Sequence, residues 1–303
     1  MKKRLGVGIT AAIGSALLFG ISPAIAKLAY EGGSNPVTMT FTRALFAIPV
    51  LIFILRLLHV PLRPSKEELK AVLPVSFFGA FGTTILLYSS YAYIGVGTAT
   101  VLHYVFPVLV MLGGLLFFKE KLLGWKVLAL VFGFLGVLSF IGERNQHDPR
   151  GVLLALLSSV TYAALMIGIE QSAISRMHVF KMAFYTNIIS ATASLIYGVV
   201  TRSLQFSMTA PAWGYSLLVS MMVAIGAVSL LNFAIIRCGA STTSIIAMLE
   251  PLTGVLFGYL LLKEQITDER SGLRPDCRGR HPCVAFFKRI RLMDPRHFQI
   301  FIH

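Results

Sequence analysis

The sequence predicts an all-α polytopic membrane protein: an inverted repeat of five-helix units, with nine clear spans and an aberrant tail where a tenth belongs. Three observations carry that expectation. The 303-residue chain is 56% hydrophobic and only 13% charged, with a mean hydropathy of +0.76, whereas a soluble domain carries about 25% charged residues. Its apolar residues come in runs of about 20, the length that crosses a hydrocarbon core. Finally, the stretch Pro107 to Glu120 (PVLVMLGGLLFFKE) has a twin at Pro251 to Glu264 (PLTGVLFGYLLLKE), 144 residues later. At that offset Pro107 meets Pro251, Gly114 meets Gly258, Leu116 meets Leu260, and Thr98 meets Thr242. Lys119-Glu120 likewise meets Lys263-Glu264. A period this long denotes two half-domains, not a solenoid.

Taken in order, the spans are expected near 6–29, 37–58, 71–93, 97–118, 124–142, 151–173, 179–201, 213–236 and 241–262. The first follows a basic start and resembles a signal peptide ending at Ala24-Ile25-Ala26. Its apolar run from Leu5 to Ala26 exceeds the 7–15 residues of a signal core, so a retained helix is expected. Basic residues then alternate between the gaps. Lys2, Lys3, Arg4, Arg56, Arg63, Lys66, Lys70, Lys119, Lys121, Lys126, Arg176, Lys181 and Arg237 make 13 on one side. Arg144, Arg150, Arg202 and Lys263 make 4 on the other. The positive-inside rule therefore places the N-terminus in the cytoplasm. Five spans per half is an odd number, so the second half enters from the opposite face. Inverted halves with a midplane site between them are an architecture of secondary transporters.

The net charge of +14 belongs to these short gaps, which argues for membrane topology and against nucleic acid. Cys238, Cys277 and Cys283 have no metal-ligand or disulfide spacing. No Walker motif, metal cluster or nucleophile triad is present, so neither an enzyme nor a cofactor is expected.

Several stretches resemble a known family. They are SNPVTMTFTRALFAIPVL at 34–51, YAYIGVGTATVLHYVFPVLVMLGGLLFFKEKL at 91–122, and NFAIIRCGASTTSIIAMLEPLTGVLFGYLLLKEQI at 232–266. The joint pattern of Arg43, Pro107 with Lys119-Glu120, and Glu250-Pro251 with Lys263-Glu264 resembles EamA-type members of the drug/metabolite transporter superfamily. The resemblance covers residues 5–266 and divides them into repeats at 5–142 and 151–266. It implies an inner-membrane carrier of a small metabolite, amino acid or drug-like solute, working without ATP hydrolysis. The alternatives are a non-transporting scaffold or sensor, a flippase for lipid-linked solutes, and an inactive truncated carrier. Expected partners are the solute, protons or another coupling ion, and membrane lipid. The sequence selects neither a monomer nor a homodimer.

Ionisable groups inside spans are costly and default to functional candidates. Glu250 leads. It directly precedes Pro251, which frees backbone carbonyls in the last span as Pro107 does in the fourth. Its carboxylate either exchanges protons with solute binding or holds the kink. Phe106 stands at the matching place in the first half. His103 is a proton relay or a hydrogen-bonded structural histidine. Arg43 is expected to snorkel to the outer interface. Tyr88, Tyr104 and Asn232 are candidates for lining a solute path, and Glu170 is expected at the interface.

After Thr267 the composition changes. The last 36 residues hold eight Arg or Lys, four Asp or Glu, and no crossing segment. Read one base out of frame, Asp276-Cys277 permits Ile or Thr, Cys277-Arg278 and Cys283-Val284 permit Ala or Val, and Phe286-Phe287 permits Phe or Ser. The expectation is a frameshift near codons 267–268 that replaces span ten. Resequencing the DNA checks it. The shifted frame should read an apolar run of at least about 18 residues, and its absence would overturn the idea.

Overall fold

The computed structural model describes residues 2–119, 124–138 and 148–262, all within one compact unit, 1–266. Residues 120–123, 139–147 and 263–303, which include Glu120, Lys263 and Glu264, lie outside the described residues. The described part is helical and contains no strand. Its helices are α1 (Lys2–Glu31), α2 (Pro36–Leu57), α3 (Lys66–Pro74), α4 (Gly82–His103), α5 (Phe106–Phe118), α6 (Gly124–Leu138) and α7 (Pro149–Gln171). They continue as α8 (Val179–Val200), α9 (Ala210–Val219), α10 (Val228–Cys238), α11 (Ala240–Ala247) and α12 (Leu249–Leu262). Seven helical segments among them are long and apolar enough to cross a membrane. The other two expected spans appear as the 15-residue α6 and as the pair α11 and α12. The boundary expected at 93–97 falls inside α4.

Burial is distributed as lipid solvent requires. Large apolar side chains face outward, with Phe117 78%, Leu116 70% and Phe53 66% exposed. Small polar ones fill the interior: Thr38, Ser76, Ser90, Ser158, Ser216, Ser220 and Ser244 are completely buried. Lipid tails are as apolar as leucine, so helix association relies on close packing and hydrogen bonds between small residues.

The repeat is visible in the backbone. Seven-residue and eight-residue π-helices interrupt the third and eighth spans, at Val75–Phe81 and Ser220–Ala227. Ser76 and Ser220, 144 residues apart, lie in their first turns and bond to the opposite half. Ser76 Oγ meets Thr186 Oγ1 at 3.0 Å, and Ser220 Oγ donates to the Arg43 carbonyl at 2.6 Å. Packing repeats too: α1 lies against α10 and α12, as α7 lies against α4 and α5. On the intervening axis α2 packs on α8, and α5 on α11.

Local chemistry sets the ends. Asn35 caps α2 through Thr38 N at 2.8 Å, with Pro36 at the first helical position. Gly239 joins α10 to α11 at φ 87 and ψ 158, a conformation essentially reserved for glycine. Glu170 is found beside it, accepting from Ala240 N at 3.0 Å, so this carboxylate caps α11. A charge at a helix N-terminus satisfies an orphan donor and complements the helix dipole.

Candidate functional site

Two spans are broken at equivalent places. The fourth breaks at Tyr104-Val105, between α4 and α5, and the ninth breaks at Met248, between α11 and α12. Tyr104 and Met248 are again 144 residues apart. Each break sits just before its proline, Pro107 or Pro251. Proline cannot donate to the preceding turn and crowds its carbonyl, so the helix restarts there. Discontinuous helices facing each other across a repeat axis leave backbone groups free to meet a solute or ion.

The breaks are joined by side chains. Tyr104 donates its hydroxyl to Glu250 Oε2 at 3.0 Å, linking the halves. Tyr104 is buried and Glu250 partly so. Hydrogen bonds to an ionised acceptor are roughly twice as strong as neutral ones. The repeat places Phe106 and Met248 where a second such pair would stand, so the bridge is single.

His103 lies one residue before Tyr104 in the same buried cluster. Its Nδ1 is 2.9 Å from Ser158 Oγ. Ser158 donates its own proton to the Ala155 carbonyl at 2.6 Å, so Oγ accepts from His103. Nδ1 therefore carries a proton in this bond. Tyr162 packs against His103 and Phe106, with centroid separations of 5.3 and 4.6 Å.

Beyond Tyr162 lies a cavity of about 150 Å3. Arg43, Ser76, Thr186 and Asn232 contribute its polar wall, and Phe19 and Leu231 are among its apolar residues. Arg43 thus stands on the cavity wall. The reason is helical phase. Arg43, Ala47, Leu51 and Leu55 follow one another at intervals of four on α2, and the last three are completely buried against the second half. Asn232 is 3% exposed. Tyr88, its counterpart in the repeat, stacks on Tyr91 with centroids 5.5 Å apart. Arg43 lies within electrostatic reach of Tyr30, which also neighbours Tyr88.

The structure therefore brings Tyr104 and Glu250 together at the breaks, and Arg43 and Asn232 together on the cavity. His103 is held by Ser158 on the side of the breaks. Sequence reasoning missed Ser76, Thr186, Ser158 and Tyr162. The repeat offset of Ser76 and Ser220 was a usable signal for the first. Nothing in the sequence distinguishes Ser158 or Tyr162 from other polar residues in apolar helices. No group of His, Cys, Asp or Glu suited to a metal ion occurs among the described residues.

The sequence model of the EamA-like transporter family matches residues 6–142 and again 149–268. The chain belongs to the EamA-like transporter family. Two curated relatives of Bacillus subtilis (strain 168) agree. The uncharacterized transporter YoaV is 25% identical over 226 residues, covering 73% of this chain and 77% of its own. The uncharacterized transporter YvbV is 28% identical over 214 residues, covering 68% and 69%. A solved structure described only as a crystal structure of protein superposes with a TM-score of 0.72 at 17% identity. It covers 85% of this chain and 91% of that one, and speaks for the fold alone. The EamA-like chain is accordingly a multi-pass membrane protein of a transporter family.

Proposed function

We propose that this EamA-like protein is a secondary carrier in the cell (inner) membrane, moving a small organic solute by alternating access. The observation that carries this reading is the Tyr104–Glu250 bond of 3.0 Å between the two broken helices, one from each half. In an inverted repeat with the N-terminus in the cytoplasm, exchanging the conformations of the halves exposes the cavity to opposite sides in turn. Such an exchange requires the halves to part at one end and close at the other. The bridge is the natural control. Protonating Glu250 converts a charge-assisted bond into a neutral one and weakens the hold of α12 on Tyr104. The coupling ion in this reading is the proton.

Glu250→Gln tests it. The amide keeps an acceptor for Tyr104 but cannot lose or gain the proton. Exchanging the charge-assisted bond for a neutral one is expected to cost about 1–1.5 kcal/mol, which is about five- to tenfold in proton-driven flux. Exchange of solute across reconstituted vesicles without a gradient should persist, and the amount of folded protein should not change. An equal fall in protein level would assign Glu250 to holding the kink instead. Unchanged proton-driven flux would remove the proton from the mechanism.

A further inference from the structure

We infer that the cavity recognises a small organic anion with one carboxylate, seated on the guanidinium of Arg43 and the amide of Asn232. This deepens the carrier reading and rests on it for the claim that the bound molecule is transported. The argument begins with charge. Arg43 is the one cation on the cavity wall among the described residues, and no Asp or Glu lines it. The nearby Glu250 carboxylate is committed to Tyr104. A guanidinium on a low-dielectric wall without a carboxylate is completed by an anionic ligand. Its planar fork matches a carboxylate in a bidentate pair.

The hydrogen-bond inventory points the same way. The serine and threonine hydroxyls around the cavity are already paired. Ser76 meets Thr186 at 3.0 Å, Thr83 meets Thr161 at 2.8 Å, and Thr84 donates to the Ala80 carbonyl at 3.0 Å. No hydrogen bond between described residues engages the Arg43 guanidinium or the Asn232 amide. Asn232 is 3% exposed, and buried amides are ordinarily satisfied. The repeat supplies an internal control. Asn187 stands 144 residues after Arg43. It gives its amide to the Ala183 and Ala224 carbonyls, at 2.8 and 3.2 Å, and so carries no spare donor. The second half thus uses this position to satisfy a π-helix, while the first presents a cation to the cavity.

Size sets the scale of the ligand. The cavity volume of about 150 Å3 equals that of an engineered protein cavity that accommodates benzene. A molecule of roughly six to nine non-hydrogen atoms therefore fits. Apolar residues such as Phe19, Leu231 and Val228 make up most of the remaining wall, which suits a short hydrocarbon body behind the carboxylate.

The test uses the full chain in lipid nanodiscs. Binding of butyrate, lactate and benzoate is measured by calorimetry against their carboxamides and against inorganic phosphate. At least one carboxylate should bind at least about tenfold more tightly than its carboxamide. Arg43→Gln should abolish that preference while leaving carboxamide binding unchanged, and Arg43→Lys should keep part of it. Asn232→Ala should weaken carboxylate binding several-fold, and it serves on its own if the Arg43 variants do not fold. Equal binding of acid and amide, binding of phosphate alone, or no binding by any carboxylate overturns the inference. Flux in vesicles separates the two readings. Carboxylate binding without flux leaves this inference standing and removes the carrier reading. Flux of carboxamides that Arg43→Gln leaves intact does the reverse.

Discussion

Gly20→Leu is expected to abolish the folded protein. Gly20 lies in α1 where that helix crosses α12, and it is buried. A Cβ at this position would stand 1.7 Å from Thr253 Oγ1 and 2.8 Å from both Thr253 Cβ and the Glu250 carbonyl. The first contact is half of an ordinary separation, and the last is with backbone. Thr253 cannot easily rotate away, because its hydroxyl donates to the Glu250 carbonyl at 2.9 Å. Gly254 on the same face would itself meet the Gly20 carbonyl at 3.4 Å through an added Cβ. Small residues at such crossings let helices approach closely in lipid, where no hydrophobic force pushes them together. Even Gly20→Ala should cost about 2–3 kcal/mol as overpacking. Leucine adds three more carbons and drives α1 off α12, carrying Glu250 away from Tyr104. The check is the monodisperse yield and melting midpoint in detergent. Adding Thr253→Gly to Gly20→Ala removes two of the three closest atoms and should recover part of the loss. A monodisperse Gly20→Leu protein with the parental midpoint would show that the crossing is loose.

Glu68→Ala should give the second largest loss, at the opposite type of contact. Lys181 Nζ lies 2.9 Å from Glu68 Oε2, with side-chain exposures of 7% and 20%. The pair ties α3 of the first half to α8 of the second. Glu68 also completes the capping box of α3, accepting from Ser65 N at 2.7 Å, while Ser65 Oγ accepts from Glu68 N at 3.1 Å. Removing Glu68 therefore strands a buried ammonium and uncaps a helix. Breaking a buried pair costs about 3–5 kcal/mol, and a lost cap about 1 kcal/mol. Because a fifth of Glu68 is exposed, the expected total is about 3 kcal/mol. Lys181→Met should cost less, about 1 kcal/mol, since Glu68 retains its Ser65 partner and contact with solvent. The double variant should be more stable than Glu68→Ala alone. Denaturant titration of the four proteins measures the cycle. Equal losses from Glu68→Ala and Lys181→Met would contradict the assignment of Lys181 as the costly partner. If the halves part at this end during transport, Lys181→Met should also raise the accessibility of nearby engineered cysteines to water-soluble reagents.

The sequence was legible wherever lipid imposes a one-dimensional rule. Apolar runs of about 20 residues follow from the thickness of the bilayer, and seven such helices stand among the described residues. The duplication was readable because each half spends its prolines, glycines and end charges at one offset, and those residues act locally on the backbone. Both helix breaks fall beside the prolines that announced them. The π-helices were not readable. The shared offset marks Ser76 and Ser220 as a pair but not as sites of distortion, and the partners they meet, Thr186 and the Arg43 carbonyl, come from the other half.

What the sequence alone determined is thus an all-α membrane protein of two related halves, with Glu250 and Pro251 marked as exceptional. Only the tertiary structure decided what each marked residue meets. Arg43 sits on the cavity because α2 turns the Arg43–Ala47–Leu51–Leu55 face inward, a direction that its depth in the span does not record. Glu250 meets Tyr104 because two breaks, far apart in the chain, come together across the repeat axis. His103 faces Ser158 and not solvent. Hydropathy records how deep a residue lies but not which way its helix is rotated, and that rotation is set by packing between the halves.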